Sequence, residues 1–538
     1  MKQNLSALLL ATLAIILPRA LAAETSPLPH LVQKDGRHAF IVDGAPFLML
    51  GVQAGNSSNW PATLPKVWPA VDYLHANTLE IPIYWEQFEP RPGVYDPSAV
   101  DTLIQQAREH HVRLVLLWFG TWKNGSAHYL PLWMKADAEK FPKVMGKDGR
   151  RVDSPSPHAP VALEADTRAF RALMRHLKGV DRDHTVIMVQ VENEPGTWNS
   201  VRDYSPAAEK LFAAPVPAEL LRALGKSAPA DAGWAAVFGP DADEYFHAWS
   251  VARYIGQVAA AGKAEYPLPL YVNVALRDPL SNPPANTYES GGATDNVIAL
   301  WKVAAPAIDL VAPDIYLDDG PRYQKVLELY HRPDNALFVP ETGGPSSIAR
   351  YCFAALGHGA IGWSPFGLDY TNYAPSPAGT PWLTEEKMTP FALNFRLLAP
   401  MAREIAQFNF EGRLQAAVEE KGAPTQTLNF GRWEATVSYG VPAFGFGKDP
   451  KGNGEPMGRA LIVQTGENEF IVAGYFCRVD FQVRDAGPAD QREYLHVEEG
   501  GYTNDTFQPI RIWNGDQTDW GLNFSSAPQV LRVKLGTY

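Results

Sequence analysis

Residues Val186-Ile187-Met188-Val189-Gln190-Val191-Glu192-Asn193-Glu194-Pro195 form an apolar run that stops abruptly in two carboxylates flanking an amide. Burying such groups without partners costs on the order of a few kcal/mol each, so a cluster of them at the end of a core segment points to use. A second run, Leu337-Phe338-Val339-Pro340, ends in Glu341-Thr342-Gly343-Gly344. Two carboxyl groups that converge are what glycosidic-bond cleavage requires. One is protonated to assist the leaving oxygen, and the other is ionised to attack or to activate water. Glu194 and Glu341 are the candidate pair, and their surroundings must push the two pKa values apart. Glu289-Ser290-Gly291-Gly292 repeats the second string, but residues 281–288 before it are rich in Asn and Pro with no apolar run, so Glu289 reads as loop. Asp314, between apolar neighbours, is a third carboxyl, either a catalyst or a structural partner for a group on the rim.

The elements that position these residues follow a rhythm of short apolar run, polar or aromatic loop, then helical pattern. Candidate strands fall at 47–51, 78–84, 113–119, 185–191, 270–274, 310–316, 336–340 and 360–363. Helical spacing recurs at 99–110, 166–177, 245–261 and 323–330. Strands alternating with helices predict an α/β chain built as a (β/α)8 TIM barrel. The rival doubly wound sheet lacks its GxGxxG phosphate loop. A barrel places its active site at the carboxyl ends of the strands, so Glu194 and Glu341 would emerge on one rim, from the fourth and seventh strands. Residues 204–243 are expected to insert over one face of the barrel, 373–379 to form a loop, and 391–408 to form a helix. Short alternating runs at 435–439, 460–463, 470–473, 478–483, 494–497 and 530–534 then predict a smaller all-β, sandwich-like C-terminal domain. The expected division is 1–23 as signal peptide, 24–400 as catalytic barrel and 401–538 as sandwich.

Composition narrows the function classes. The chain has 538 residues, 46% hydrophobic and 20% charged, ordinary globular usage. The net charge of −12 gives no basic field for a phosphate backbone, so no nucleic-acid partner is expected. Lys2, the apolar run 7–17 and Ala20-Leu21-Ala22 have the pattern of a cleaved secretory signal. The run is shorter than the ~20 residues that span a bilayer. Export to the periplasm or medium is therefore expected, with no membrane association after cleavage. Cys352 and Cys477 are too few for a disulfide framework and lack zinc-site spacing. The sequence carries no GxSxG, HExxH, GxxxxGK[ST] or EF-hand loop, and catalysis is expected to need no metal or cofactor. Trp85, Trp122, Trp133 and Trp363 lie at or just past strand ends, where flat apolar rings suit stacking on pyranose C–H faces. Two of the four are expected at the ligand, Trp363 foremost.

The string Asn193-Glu194-Pro195 resembles the Asn-Glu-Pro signature of the large clan of retaining (β/α)8 glycosidases. More narrowly, Val189-Gln190-Val191-Glu192-Asn193-Glu194 resembles the VQ-V/I-ENE motif of glycoside hydrolase family 35, the β-galactosidases. Trp85-Glu86-Gln87-Phe88-Glu89-Pro90-Arg91-Pro92-Gly93-Val94-Tyr95-Asp96 resembles that family's W-N-x-H-E-P-x-P-G-x-Y-D. The resemblance covers the presumed barrel. It implies that Glu194 is the acid/base, Glu341 the nucleophile, Asn193 a donor to the substrate 2-hydroxyl, and Tyr316 a donor to the nucleophile; Glu192 would be a rim carboxylate. Departures occur at Glu86 and Phe88, which replace the motif's Asn and His, and at Asn124, which stands where typical members place a galactose-holding Glu. Glu86 and Asn124 are thus sugar-binding positions with altered chemistry. The implied activity is a retaining exo-β-galactosidase releasing terminal non-reducing β-D-galactosyl residues from oligosaccharide or polysaccharide, with plant cell-wall material such as xyloglucan as one source. The alternatives are another retaining β-glycosidase or endo-glycanase of the clan, and a non-catalytic carbohydrate-binding protein. The sequence sets no oligomeric state.

Overall fold

The computed structural model describes residues 27–538 except 344, 372–382, 443–448, 488–489 and 504. The expected signal segment and the loop at 373–379 lie outside the described residues. Eight parallel strands close into a barrel in chain order: β1 (Met49–Gln53), β2 (Thr78–Tyr84), β3 (Arg113–Lys123), β4 (Val186–Asn193), β5 (Leu270–Ala275), β6 (Leu310–Ile315), β7 (Val339–Thr342) and β8 (Gly362–Pro365). All eight predicted strands are present, shifted at most a few residues. Between them run α1 (Trp68–Leu74), α2 (Ser98–Glu109), α3 (Pro160–Val180), α4 (Ala242–Glu265), α5 (Ile298–Ala304), α6 (Gly320–Tyr330) and α7 (Tyr351–Gly357), and α8 (Glu385–Leu398) follows β8.

Alternation along each strand separates two cores. Side chains such as Leu50, Val52, Leu79, Ile81, Val189 and Trp363 face the helices, whereas Met49, Val115, Leu117, Tyr271, Leu310 and Phe338 fill the barrel. An N-terminal hairpin, His30–Lys34 with Arg37–Val42, adds Phe40 and Val42 to the interior cluster.

One interior group is acidic. Glu80 on β2 is fully buried, accepts a hydrogen bond from the Tyr271 hydroxyl at 3.0 Å, and lies beside Ser364. Gly51 leaves room for this layer, since a Cβ there would sit 2.0 Å from Ser364 Oγ. Burial pushes the Glu80 carboxyl up to about 8. The folded chain therefore holds a proton that the unfolded chain releases above the ordinary value of 4.5, so this group's contribution to stability falls as pH rises from there to about 8. Glu80→Gln removes that dependence. The Tm difference, variant minus wild type, is expected to become more positive between pH 5 and pH 8, and an offset that stays constant with pH would count against a buried neutral acid.

The insertion at 204–243 forms three short helices, Pro206–Phe212, Ala218–Ala223 and Trp234–Phe238. Contrary to the expected placement over a barrel face, it packs on the outside of the helical ring. The segment Ala218–Ala223 meets α5, and Trp234 sits against Phe246 and Trp249 of α4. The helix expected at 391–408 is two, α8 and α9 (Ala402–Glu411), broken by a tight turn over Ala399–Met401 that holds Pro400, a residue without an N–H to donate.

The remaining chain forms a sandwich. One sheet runs β9 (Leu414–Val418), β12 (Arg459–Gly466), β13 (Glu469–Tyr475), β18 (Gln529–Thr537), β15 (Arg492–Thr503), β16 (Thr506–Ile512). The other runs β10 (Thr425–Phe430), β11 (Trp433–Ser438), β14 (Cys477–Val483), β17 (Leu522–Phe524). On β12, Ala460 and Ile462 face the sandwich core, while Leu461 and Val463 join the barrel's outer core. The larger sheet is thus apolar on both faces and is fixed to the barrel. Arg459, fully buried in this seam, donates to Asn394 Oδ1 of α8 at 2.9 Å.

Candidate active site

Strand β4 ends in strained backbone. Glu192 and Glu194 take φ of 65° and 41°, values uncommon for residues with a Cβ and often concentrated at working sites. Neighbouring elements hold this end in place. The Gly125 N–H donates to the Glu194 carbonyl at 2.9 Å, the Asn124 N–H to the Asn193 carbonyl at 3.2 Å, and the Glu194 N–H to Asn273 Oδ1 of β5 at 2.8 Å. Asn273 in turn donates to Asp314 Oδ2 of β6 at 2.6 Å.

Glu194, Asp314 and Glu341 converge at the mouth, with one oxygen from each within 4.8 Å of the others. This is also the one grouping of His, Cys, Asp or Glu with metal-like spacing among the described residues. Their environments differ. Glu341 is buried with a donor on each oxygen, the Tyr316 hydroxyl at 2.5 Å and Gln53 Nε2 at 3.0 Å, the pattern of an unprotonated carboxylate. Glu194 remains partly open to the mouth. Burial and then the Glu341 charge push it up to about 7, against the pull of Lys123. Asp314 is pushed well above the usual carboxylate range by burial, then by the charges of Glu341 and Glu194. The cluster therefore holds a carboxylate, an acid poised near neutrality, and a third carboxyl beside them held well above the usual range.

Asn193 lies in the same cluster. Its Oδ1 accepts from Lys123 Nζ at 2.8 Å, while its Nδ2 is buried without a protein partner. Asn124 is an exposed residue with φ of 52°, and its side-chain Oδ1 also accepts from Lys123 Nζ. Glu86 is exposed and paired with Lys135 at 3.0 Å, apart from the carboxyl cluster.

Three of the four candidate tryptophans, Trp363 among them, are buried away from the mouth, so the expectation of two at the ligand needs correction. Trp363 is fully buried on the outward side of β8, against Phe391 and Phe395 of α8, and donates to the Tyr323 hydroxyl of α6 at 3.0 Å. Trp85 packs on Trp118 and Trp133 with its indole N–H on Glu89 at 2.6 Å, and Trp122 lies edge-on to Tyr254. Strand parity directs Trp363 into the helical layer, and all three rings are fully buried with no face open to a sugar. Trp133 is half-buried and donates to the Glu89 carbonyl. Glu192 is not on the rim either. It is fully buried, accepts from the Trp122 N–H at 2.7 Å, and lies beside Asp166.

The exposed aromatics near the site are Trp60, Trp198 and Tyr316, 44–48% accessible. Trp60 lies in the loop after β1, against Tyr84, and Trp198 in the loop after β4. Sequence reasoning missed both, because a loop tryptophan carries no periodic signal. It also underrated Glu289. That residue is in a loop, as expected, yet it is buried between Gly125 and Gly196, where added Cβ atoms would come within 2.1 and 2.8 Å of its side chain. Burial, then the charge of Glu194, pushes its carboxyl well up. The Gly-containing strings around 125 and 196 were the available signal, but only the fold brings them together.

Residues 37–258 match the model of glycoside hydrolase family 42, described as Beta-galactosidase, and residues 391–525 match a domain of unknown function, DUF5597. The stretch carrying β1 to β4 and Glu194 is thus similar to family 42, where the strand-end strings resemble family 35. No curated protein matches the chain. Similar solved structures include β-galactosidases from Bacillus circulans sp. alkalophilus (15% identity, TM-score 0.49, covering 66% of this chain and 57% of that one) and Rahnella sp. R3 (16%, 0.48, 70% and 59%). Another is the exo-β-1,4-mannosidase Op5Man5 from Opitutaceae bacterium strain TAV5 (14%, 0.42, 70% and 63%). The chain spans about three fifths of the length of these structures.

Proposed function

We propose that the protein is a retaining exo-β-galactosidase that removes terminal β-D-galactosyl residues from exported-compartment substrates such as plant cell-wall oligosaccharides. The observation that carries this reading is the meeting of Glu194, an acid near pH 7, with Glu341, a carboxylate clasped by Tyr316 and Gln53. In a double displacement, Glu341 attacks the anomeric carbon while Glu194 protonates the leaving oxygen. Glu194 then takes a proton from the water that releases the sugar, and neither step needs a cofactor. The orphaned Asn193 amide is placed to donate to the 2-hydroxyl, a contact that strengthens as the transition state forms. Galactose as the sugar is supported by the family match over residues 37–258 and by the family 35-like strings; export is supported by the pattern of residues 1–23.

The test is hydrolysis of a panel of aryl β-glycosides, with NMR identification of the first anomer released. Cleavage of the galactoside with β-galactose appearing first is expected. Exclusive cleavage of another glycoside with retention would keep the mechanism and remove the sugar assignment, and first release of the α-anomer would overturn retention.

A further inference from the structure

Lys123 is the last residue of β3 and pairs in register with Asn193 on β4, after an irregularity that follows Trp118. Its side chain is buried, with Nζ 5.1 Å from the centre of the Phe119 ring and 2.8 Å from Asn193 Oδ1. Two consequences follow from chemistry alone. An ammonium only donates, so the atom it meets must be the amide carbonyl, which fixes the Asn193 side chain with its NH2 turned the other way. That NH2 is fully buried and has no protein acceptor. The arrangement holds a donor ready for an oxygen the protein does not supply.

We propose that Lys123 is a positioning residue that sets the orientation of the Asn193 amide toward the substrate 2-hydroxyl and balances the charge of the carboxyl cluster around the acid/base. The inference rests on the glycosidase reading above. The groups around Glu194 are Glu341 on β7, Asp314 on β6, Glu289 in the loop after β5, and Lys123 on β3. Lys123 is the cation that pulls down Glu194, Asp314 and Glu289 alike. A histidine or a solvated lysine would not do both tasks: the first loses its charge near neutrality, and the second leaves the amide free to flip.

The experiment compares wild type with Lys123→Met on an aryl glycoside that wild type cleaves and on its 2-deoxy analogue. The preference for the parent substrate, as a ratio of kcat/KM values, is expected to fall about tenfold in the variant. The basic limb of the kcat/KM pH profile is expected to move to higher pH, because removing a cation that favours the Glu194 anion raises the pKa of that acid. In an Asn193→Ala background, the same Lys123 change should no longer alter the parent-to-2-deoxy ratio. If Lys123→Met fails to fold, Lys123→Arg serves: it keeps the charge and disturbs the amide, so the ratio should fall while the pH limb stays. Equal losses on both substrates with an unmoved limb would overturn the proposal and leave Lys123 a structural residue. A wild type that cleaves no glycoside overturns the glycosidase reading and this inference together, whereas an active wild type isolates the inference.

Discussion

Glu341→Gly is expected to lower kcat on an aryl galactoside by about 10,000-fold or more, the scale of losing a covalent nucleophile. The fold should survive, because Glu341 sits at the mouth with its two donors, Tyr316 and Gln53, and their groups can be satisfied by water in the space left. That space also makes the role testable by product chemistry. Azide entering it would attack the anomeric carbon from the face Glu341 has vacated and yield the α-glycosyl azide, restoring turnover. Rescue that instead yields the β-azide would assign Glu341 to the other face, and so to the acid/base role. A variant retaining a tenth of wild-type activity would remove Glu341 from the reaction.

Glu194→Ala should show a different signature. General acid catalysis contributes about 100- to 10,000-fold, and it matters most when the leaving group is a poor one. Hydrolysis of a galactosyl disaccharide is therefore expected to fall within that range. Formation of the glycosyl-enzyme from a dinitrophenyl galactoside, whose leaving group needs no proton, should fall far less and appear as a burst. Azide should give the β-glycosyl azide, attacking on the face opposite Glu341. The pH profile supplies an independent check. Glu194 must carry a proton to act, and burial together with the Glu341 charge places its pKa at about 7. Wild-type kcat/KM should then fall as pH rises through about 7, and the variant should lose that limb. A basic limb unchanged in Glu194→Ala would mean that another group, with Asp314 and Glu289 the nearest candidates, donates the proton.

Much of the barrel was legible in the chain because its strands are buried on both sides and therefore appear as continuous apolar runs between helical patterns. The same property made the runs at 186–191 and 337–340 conspicuous when they ended in carboxylates: a strand end is a local feature, and the polar residues there interrupt an unbroken signal. The sandwich was legible from its alternation. The aromatic residues were not legible in the same way. Trp363 and Ser364 are neighbours in the chain, and only the parity of β8 decides that the serine enters the barrel beside Glu80 while the tryptophan packs on α8.

By itself the sequence determined the order of elements, the two-part architecture and which carboxyl groups end strands, because each is written in local spacing. The tertiary structure decided what surrounds those groups. Tyr316 and Gln53 reach Glu341 from β6 and β1, Lys123 reaches Asn193 from β3, and Glu289 is enclosed by glycines from two other loops. Acidity, amide orientation and exposure are sums over neighbours distant in the chain, and those sums exist only once the barrel has closed.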